Sequence, residues 1–533
     1  MYLVPTPADD TPAYGMPLHD MEHNQHPEKA QHFTQRHYPT HPQYPQYPQY
    51  PAQPQYDEQR YDEYGYEQPY EQPWHSTGPQ DATWWEPDHR LLSGICGYDA
   101  HDRSRLSGPD PDLLGDHVAR YGPRPVVTGA AGDELLVALE EIRLTGRGGA
   151  HFPVAKKWRT VLAAGGGGIV VGNGAEGEPA SAKDAALLQH RPHLVLDGLA
   201  CAAEVVGATG ATLWLHEGAV ETRRAVVRAI GERRAAGFEE IGVQVVLGPD
   251  HYLSGESSAA IQALDGGPPL PAFTRVPAAV KGIGGRPTLL QNVETLARVA
   301  LIARTGATGA MPGMLVTVLG DAGLTVCELP PETTVAEAVR IGNGAGLGGL
   351  PPQAVLLGGY GGSWMSWAEA APQPLGHLDG RRSVEAPPTP RSRRRRAAPA
   401  APPLSASFTA SLGAGVMAVL PADVCGIVET AAVVEYLATS SARQCGPCVF
   451  GTRDLADTLA RISRCEARRG DLDLLTRIAA QVVRRGACHL PDGAVQIMRS
   501  ALHVFAEDLE QHVQHGRCAH PGGRAVLPVP GEL

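Results

Sequence analysis

Two groups of residues in this chain have the types and spacing that chemistry requires. The run Gly146-Arg-Gly-Gly-Ala-His-Phe-Pro-Val-Ala-Lys-Lys-Trp158 packs three glycines, an arginine and two lysines into thirteen residues. Lysine is scarce here: five occur, at positions 29, 156, 157, 183 and 281, while arginine carries most of the positive charge. Glycine lets backbone N–H groups close on a phosphate, and an ammonium adds a compact charge to it. The run therefore predicts a phosphorylated cofactor. The second group is Cys445-Gly-Pro-Cys448, with Cys488 forty residues later. Thiolates three apart in a loop, joined by one that a helix pair brings in, suit an iron–sulfur cluster. Zinc and redox dithiols use the same spacing, and three cysteines leave a cluster one ligand short.

Three further polar, glycine-bearing loops lie close in sequence to the first. Asn173-Gly-Ala-Glu-Gly-Glu-Pro-Ala-Ser-Ala-Lys-Asp184 follows the β-branched run Gly168–Gly172. Tyr252-Leu-Ser-Gly-Glu-Ser-Ser-Ala259 comes next, then Lys281-Gly-Ile-Gly-Gly-Arg-Pro-Thr288 with Gln291-Asn-Val-Glu-Thr295 behind it. Any one alone reads as a surface turn. Four within 150 residues read as one site, at the C-terminal ends of strands in an α/β sheet.

The elements that must position these loops are legible as patterns. From Leu113 to Thr305, short β-branched runs alternate with Ala- and Arg-rich helical stretches, which predicts an α/β domain with a largely parallel sheet. Residues 313–372 read as a small α+β module, and 373–404 as a Pro/Arg linker containing Arg393 to Arg396. Periodic apolar stretches at 428–439, 451–464, 471–486 and 491–514 predict a helical bundle, with Asp471 as a helix cap before Leu472. The N-terminal residues are rich in Pro, Gln, His and Tyr, with Pro-Gln-Tyr three times in tandem from Pro42 to Tyr50, and predict an extended, solvated tail.

A net charge of −12 argues against nucleic acid as the main partner. No apolar run reaches the ~18 residues of a membrane span, since Leu194–Leu215 contains Asp197 and Glu204. Without a signal pattern the chain is expected in the cytoplasm, reaching a membrane through partners alone. Nine cysteines in a chain of 533 residues are not a disulfide framework.

The chain resembles the NADH-binding flavoprotein subunit of respiratory complex I (the F-type subunit of NADH-quinone oxidoreductase) and its relatives in NAD-reducing hydrogenases and formate dehydrogenases. That family carries GRGGAGFPTGLKW, NADESEPGTxKD, YxxGEETA, GxPTxxNNVET and SCGxCxPCRxG in this order. The sequence has GRGGAHFPVAKKW, NGAEGEPASAKD, YLSGESSA, GRPTLLQNVET and SARQCGPCVFG, over roughly residues 105 to 515. The resemblance implies an α/β Rossmann-like FMN-binding domain, a ubiquitin-like β-grasp domain of the SLBB type, and a C-terminal helical bundle with an iron–sulfur site. The expected boundaries are a tail at 1–100, the FMN/NADH domain at 101–310, the β-grasp domain at 311–372, the linker at 373–404, the iron–sulfur domain at 405–520 and a second tail at 521–533.

Carried over by position, Gly146, Arg147, Gly148, Gly149, Lys157, Asn173, Gly255, Glu256, Gln291, Asn292 and Thr295 would surround FMN. Phe152 would face the adenine of NADH, and Glu176 would be the catalytic-site carboxylate near the nicotinamide. Cys445, Cys448 and Cys488 would ligate the cluster. The implied activity is that of an NADH dehydrogenase flavin subunit: hydride passes from NAD(P)H to FMN, and electrons then pass to the cluster and to partner subunits, a 2Fe-2S subunit among them, or a quinone chain.

The sequence departs from the family mainly on the dinucleotide side. Family aromatics fall at Thr160 and Pro277, a glutamate at Ser257, a lysine at Thr274 and a glycine at His151. Each lost stacking face forfeits about 0.5–1.5 kcal/mol beyond area burial. Losing the carboxylate at Ser257 also removes repulsion toward a 2′-phosphate, which opens the site to NADPH. On the flavin side a family aspartate is Ala175 and the first asparagine of the NN pair is Gln291. The first cluster cysteine is Ala442. Three readings stand there: a 3Fe-4S or 4Fe-4S cluster with His489 or Cys465 as further ligand, another metal such as zinc, or no metal. The alternative for the whole chain is a non-catalytic paralogue that keeps the fold as a structural or regulatory module.

Overall fold

The structure is a computed structural model that describes residues 90–92, 96–98, 106–107, 110–238, 241–307, 313–320, 323–343, 352–379, 382–384, 408–520 and 525–530. The Pro-Gln-Tyr repeats and the Arg393–Arg396 run lie outside the described residues. Strands are numbered in chain order, the first two being β1 (Cys96–Tyr98) and β2 (Leu106–Ser107).

The β-branched runs form the expected parallel sheet: β3 (Ile169–Asn173), β4 (Gly210–His216), β5 (Gly242–Gly248) and β6 (Thr288–Asn292), in the order β5-β4-β3-β6. Helices Lys183–His190 and Pro192–Val206 connect β3 to β4, Val220–Ala235 connects β4 to β5, and Val293–Thr305 follows β6. The chain walks outward from β3 to β5, then returns to place β6 on the other side of β3. That reversal opens a crevice at the C-terminal ends of β3 and β6, where parallel α/β sheets bind their ligands. Asn173 and Asn292 end these two strands in direct register.

Helices Pro192–Val206 and Val293–Thr305 pack beneath this edge at backbone contact. A Cβ on Gly198 would lie 1.9 Å from the Leu296 carbonyl oxygen, so that position admits glycine alone. The Asp197 that interrupts the apolar run is buried and matched by Arg304, by Arg233 at 2.8 Å and by His117 at 2.8 Å. No helix among the described residues is long and apolar enough to cross a membrane.

A second sheet uses β7 (Met314–Gly320), β8 (Gly323–Leu329), β9 (Ala354–Leu357), β10 (Ser363–Ser366) and, beyond the pair β11 (Arg382–Val384) and β12 (Phe408–Ala410), β13 (Val416–Leu420). Its order is β10-β9-β13-β7-β8-β1-β2, with β13 parallel to β7 and the other neighbours antiparallel. Three expected boundaries shift as a result. The span 405–520 is not all helix, because β13 fills the centre of this sheet. The tail expected at 1–100 ends earlier: Leu91 and Leu92 are buried and donate their backbone N–H groups to the Glu328 carboxylate at 3.0 and 2.7 Å. The span 373–404 opens on a short helix, Leu375–Leu378, before the undescribed part.

The bundle comprises helices Gly426–Thr439, Arg453–Ser463, Asp471–Val482, Leu490–Val504 and Ala506–Gln514. Asp471 is the first helical residue rather than the cap. Its carboxylate accepts from the Arg468 N–H at 2.9 Å and pairs with Arg461 at 2.9 Å, and Gly470 takes the turn at φ +94°.

Candidate active site

The glycine loop lies over the C-terminal end of β6. Its two arms pair at Thr145 and Pro153, with Gly146 N–H donating to the Phe152 carbonyl at 2.9 Å. Gly149, at φ +89°, turns the loop tip in a conformation L side chains rarely adopt. The Arg147 N–H donates to Thr295 Oγ1 at 2.9 Å, which fixes the loop to the first turn of the helix after β6. Asn292 caps that helix by accepting from the Glu294 N–H at 3.0 Å, and its amide donates to Asp184 at 2.7 Å. Gly148 rests on Asn292: a Cβ there would sit 3.5 Å from the asparagine's own.

Lys157 projects from helix Val154–Ala163 and donates to the Leu290 carbonyl at 2.9 Å. Burial lowers its pKa, and no carboxylate pairs with it among the described residues. The neighbouring Gln291 is 3 % exposed, and its side-chain oxygen finds no hydrogen-bond partner among the described residues. A half-buried ammonium with no carboxylate partner among the described residues and a buried amide with a free acceptor, both beside a glycine loop, mark a place built for a polar ligand that both accepts and donates hydrogen bonds. These residues fit an FMN.

The loops after β3 and β5 close on each other across the crevice mouth. The Asn173 amide donates to the Gly255 carbonyl at 2.9 Å and its oxygen accepts from Ala175 N–H at 3.2 Å. A Cβ on Gly255 would come within 2.3 Å of the Ala175 carbonyl, and one on Gly177 within 2.3 Å of the Tyr252 carbonyl. These glycines therefore serve backbone-to-backbone packing first. Ala175 itself is buried in a small apolar cluster with Val171, Trp214, Ala260 and Leu290. Glu256 caps helix Ser257–Leu264, accepting from Ser258 and Ala259 N–H groups at 2.9 and 3.0 Å. Glu176 does the same for helix Lys183–His190, taking the Ser181 hydroxyl and the Ala185 N–H at 3.3 Å.

Beneath the loops lies a charge network that no local pattern in the sequence announces. Glu294 is fully buried and meets Arg147 at 3.2 Å, Arg298 at 3.0 Å and Lys183 at 3.1 Å. Lys183 also holds Asp184 at 2.6 Å, and Arg147 reaches Asp379. Burial alone would raise Glu294, but the three cations outweigh it and hold the carboxyl at about 2. Burial raises Asp184 to about 7, with Glu176 and Glu294 adding to it against the pull of Lys183. Lys183 is raised despite its burial, because Asp184, Glu294 and Glu176 surround it. The Arg147 guanidinium is thus spent on holding the loop down. Lys183, Asp184 and Glu294 stand inside motifs that the sequence displays, but Asp379 carries no sequence signal.

The cysteine site adjoins the Tyr252–Glu256 loop. Cys448 opens into a wide helical turn, Pro447–Thr452, with its N–H on the Cys445 carbonyl at 3.0 Å. Burial first, then the thiols of Cys445 and Cys488, push Cys448 up to about 12, so the three sulfurs share one neighbourhood. Burial also raises Cys488, with the charge of Glu256 contributing. Three convergent thiols fit an iron–sulfur cluster with one further ligand. The candidates for that ligand point elsewhere: the His489 side chain is 94 % exposed, 3.5 Å from Asp492, and Cys465 lies 3.5 Å from His512. Tyr252 links the two sites. It packs edge-on to Tyr436 of the bundle at 5.8 Å, and Tyr436 packs in the same way on Tyr360 of the second sheet.

Residues 139–301 match the Nuo51 FMN-binding domain, and residues 429–512 match the NADH-ubiquinone oxidoreductase-F iron–sulfur binding region. The chain is 29 % identical to the second F-type subunit of NADH-quinone oxidoreductase from Rhizobium meliloti over 438 residues, 77 % of this chain and 96 % of that one. It is 24 % identical to the NADP-reducing hydrogenase subunit HndC of Solidesulfovibrio fructosivorans, over 80 % of this chain and 84 % of that one. Among solved structures, an air-oxidized NAD+-reducing NiFe hydrogenase superposes with a TM-score of 0.60 at 26 % identity. That match covers 73 % of this chain and 64 % of the hydrogenase chain. Both domain matches fall in order around one crevice and one set of thiols, and over about three quarters of its length the chain is similar to F-type subunits of NADH-quinone oxidoreductase.

Proposed function

We propose that this chain oxidises a reduced nicotinamide dinucleotide at an FMN held over the β3–β6 crevice, and delivers electrons through an iron–sulfur cluster at Cys445, Cys448 and Cys488 to a partner subunit. The observation that carries this reading is Lys157, a half-buried ammonium beside the glycine loop with no carboxylate to answer it among the described residues. FMN, when bound, supplies a hydride acceptor that can release its electrons singly.

The residues around the crevice divide the work. Gly146, Gly148 and Gly149 leave room above β6, and Thr295 and Asn292 hold that loop at a helix N-terminus, where backbone N–H groups favour a phosphate. Lys157 and Gln291 offer a donor and an acceptor at the crevice wall. Asn173, Gly255 and Glu256 keep the facing loop rigid. Glu176, whose carboxylate caps the helix after β3, is the candidate for the carboxylate near the nicotinamide. Phe152 is 44 % exposed and offers a face for adenine, with the Lys156 ammonium 5.9 Å from its ring centre. Ser257 stands exposed beside Glu256, which supports acceptance of NADPH as well as NADH.

The second sheet supports the ubiquitin-like β-grasp reading. β8-β7-β13-β9-β10 sets a hairpin and a parallel fifth strand around a helix at Val335–Asn343. Val449 and Phe450, exposed directly after Cys448, give a partner such as a 2Fe-2S subunit an apolar place to dock. A cytoplasmic location with membrane contact through partners accords with these features.

Full-length protein purified without oxygen is expected to contain FMN, iron and sulfide. Cys445→Ser/Cys448→Ser should lose most of its iron and keep its flavin. Protein that stays colourless after reconstitution with FMN and iron would favour the non-catalytic alternative.

His151 sets a further expectation. It sits at φ +49°, a left-handed conformation that the family's glycine adopts freely and that costs a histidine about 1–3 kcal/mol. His151→Gly should stabilise the folded protein and lower the KM for NADH. Equal melting temperatures and an unchanged KM would count against strain at this position.

A further inference from the structure

We propose that Cys425, His512 and Cys518 supply three ligands of a tetrahedral zinc ion, with solvent as the fourth at the half-exposed Cys518 edge, at a site distinct from Cys445, Cys448 and Cys488. The three belong to different parts of the bundle. Cys425 precedes helix Gly426–Thr439, His512 lies in the last turn of helix Ala506–Gln514, and Cys518 follows that helix. The fold brings one ligand atom from each to within 4.8 Å of the others, with Cys425 Sγ 3.4 Å from His512 Nε2. A tetrahedral zinc with sulfur at about 2.3 Å and nitrogen at about 2.0 Å sets its sulfur and nitrogen ligands roughly 3.5 Å apart, so little movement is required.

The imidazole is already oriented for the task. His512 is 1 % exposed, and its Nδ1 lies 2.9 Å from the Ile462 carbonyl, which can only accept. Nδ1 therefore carries the proton and the Nε2 lone pair faces the two sulfurs. A ligating histidine is held this way in most metal sites, by a carbonyl or carboxylate on its far nitrogen. Two thiolates would also balance the ion's double charge, which suits a setting where Cys425 is 3 % exposed in the apolar core. Cys465, on the Nδ1 edge of the ring at 3.5 Å, lies outside the set of three.

Such an ion would clasp the end of the chain to the helix that opens the bundle. Protein ligands from segments far apart in sequence leave no preformed site in the unfolded chain, so binding adds directly to folding. Zinc and iron are separate readouts, so this proposal can fail while the flavin reading stands, and the reverse.

The test is metal analysis of full-length protein after removal of loosely bound ions, with cobalt(II) substitution as the spectroscopic probe. About one zinc per chain is expected, retained in Cys445→Ser/Cys448→Ser/Cys488→Ser and reduced to roughly a tenth in Cys425→Ser/Cys518→Ser. Cobalt should give thiolate charge-transfer and tetrahedral bands in the first variant and not in the second. Cys518→Ser alone changes a half-exposed residue beyond the last helix, so it should lose zinc while keeping its helical circular dichroism. Zinc absent from the native chain, zinc undiminished in Cys518→Ser, or a Cys425–Cys518 disulfide in native protein as purified without oxygen would each overturn the proposal.

Discussion

Lys157→Met protein is expected to purify folded and nearly free of flavin. The substitution removes an ammonium that is half-buried, donates to one backbone carbonyl and pairs with no carboxylate among the described residues. A charge-assisted hydrogen bond to a bound ligand contributes about 1.5–3 kcal/mol, so FMN affinity should fall about 10- to 100-fold. Stability should move the other way. A half-buried ammonium with no counter-ion adds little to the stability of the empty protein, and methionine fills a similar volume without the charge. The flavin-free variant should therefore melt no lower than flavin-free native protein. A merely structural lysine would give the opposite pair of results, a lower melting temperature with flavin retained.

Glu294→Gln should cost the folded state far more. The carboxylate is enclosed by Arg147, Arg298 and Lys183, and removing one partner of a buried ionic group leaves uncompensated charge at about 3–5 kcal/mol. For a domain of this size that corresponds to a melting temperature lower by roughly 10 °C. The Arg147 loop should loosen with it, weakening flavin binding although Glu294 need not touch the flavin. The pH dependence follows from the carboxyl's position at about 2, below its ordinary value of 4.5. A depressed folded-state pKa stabilises above the unfolded value, and that contribution is lost as pH falls through the folded one. The gap in stability between native and Glu294→Gln protein should thus be full near neutrality and shrink as the pH drops from 4.5 toward 2. A gap that stays constant over that window would show that Glu294 is not the ionised hub of the network.

The parts of the site that the sequence made legible are those whose chemistry is local. A glycine loop with its lysine, and asparagines at the ends of two β-branched runs, announce themselves within a dozen residues. The crevice they line needed only the expectation of a parallel sheet. What escapes depends on distance along the chain. Glu294 and Lys183 look like ordinary helix-start residues until the fold puts them 3.1 Å apart. Gly255 reads in the sequence as space for a flavin, but its bare Cα first admits the Ala175 carbonyl. β13 falls within the expected helical domain because five consecutive apolar residues carry no period of their own. Cys425 and His512 stand 87 residues apart, so no spacing rule joins them.

The central claim, that this divergent chain still takes hydride at a flavin in the β3–β6 crevice, is tested most directly by titrating FMN-loaded protein with NADH and then NADPH under anaerobic conditions. The account predicts that the oxidised flavin absorbance bleaches with one or both dinucleotides, and that Lys157→Met protein shows no such change for want of bound flavin. Flavin that stays bound and oxidised with either dinucleotide, yet is reduced by dithionite, would contradict it.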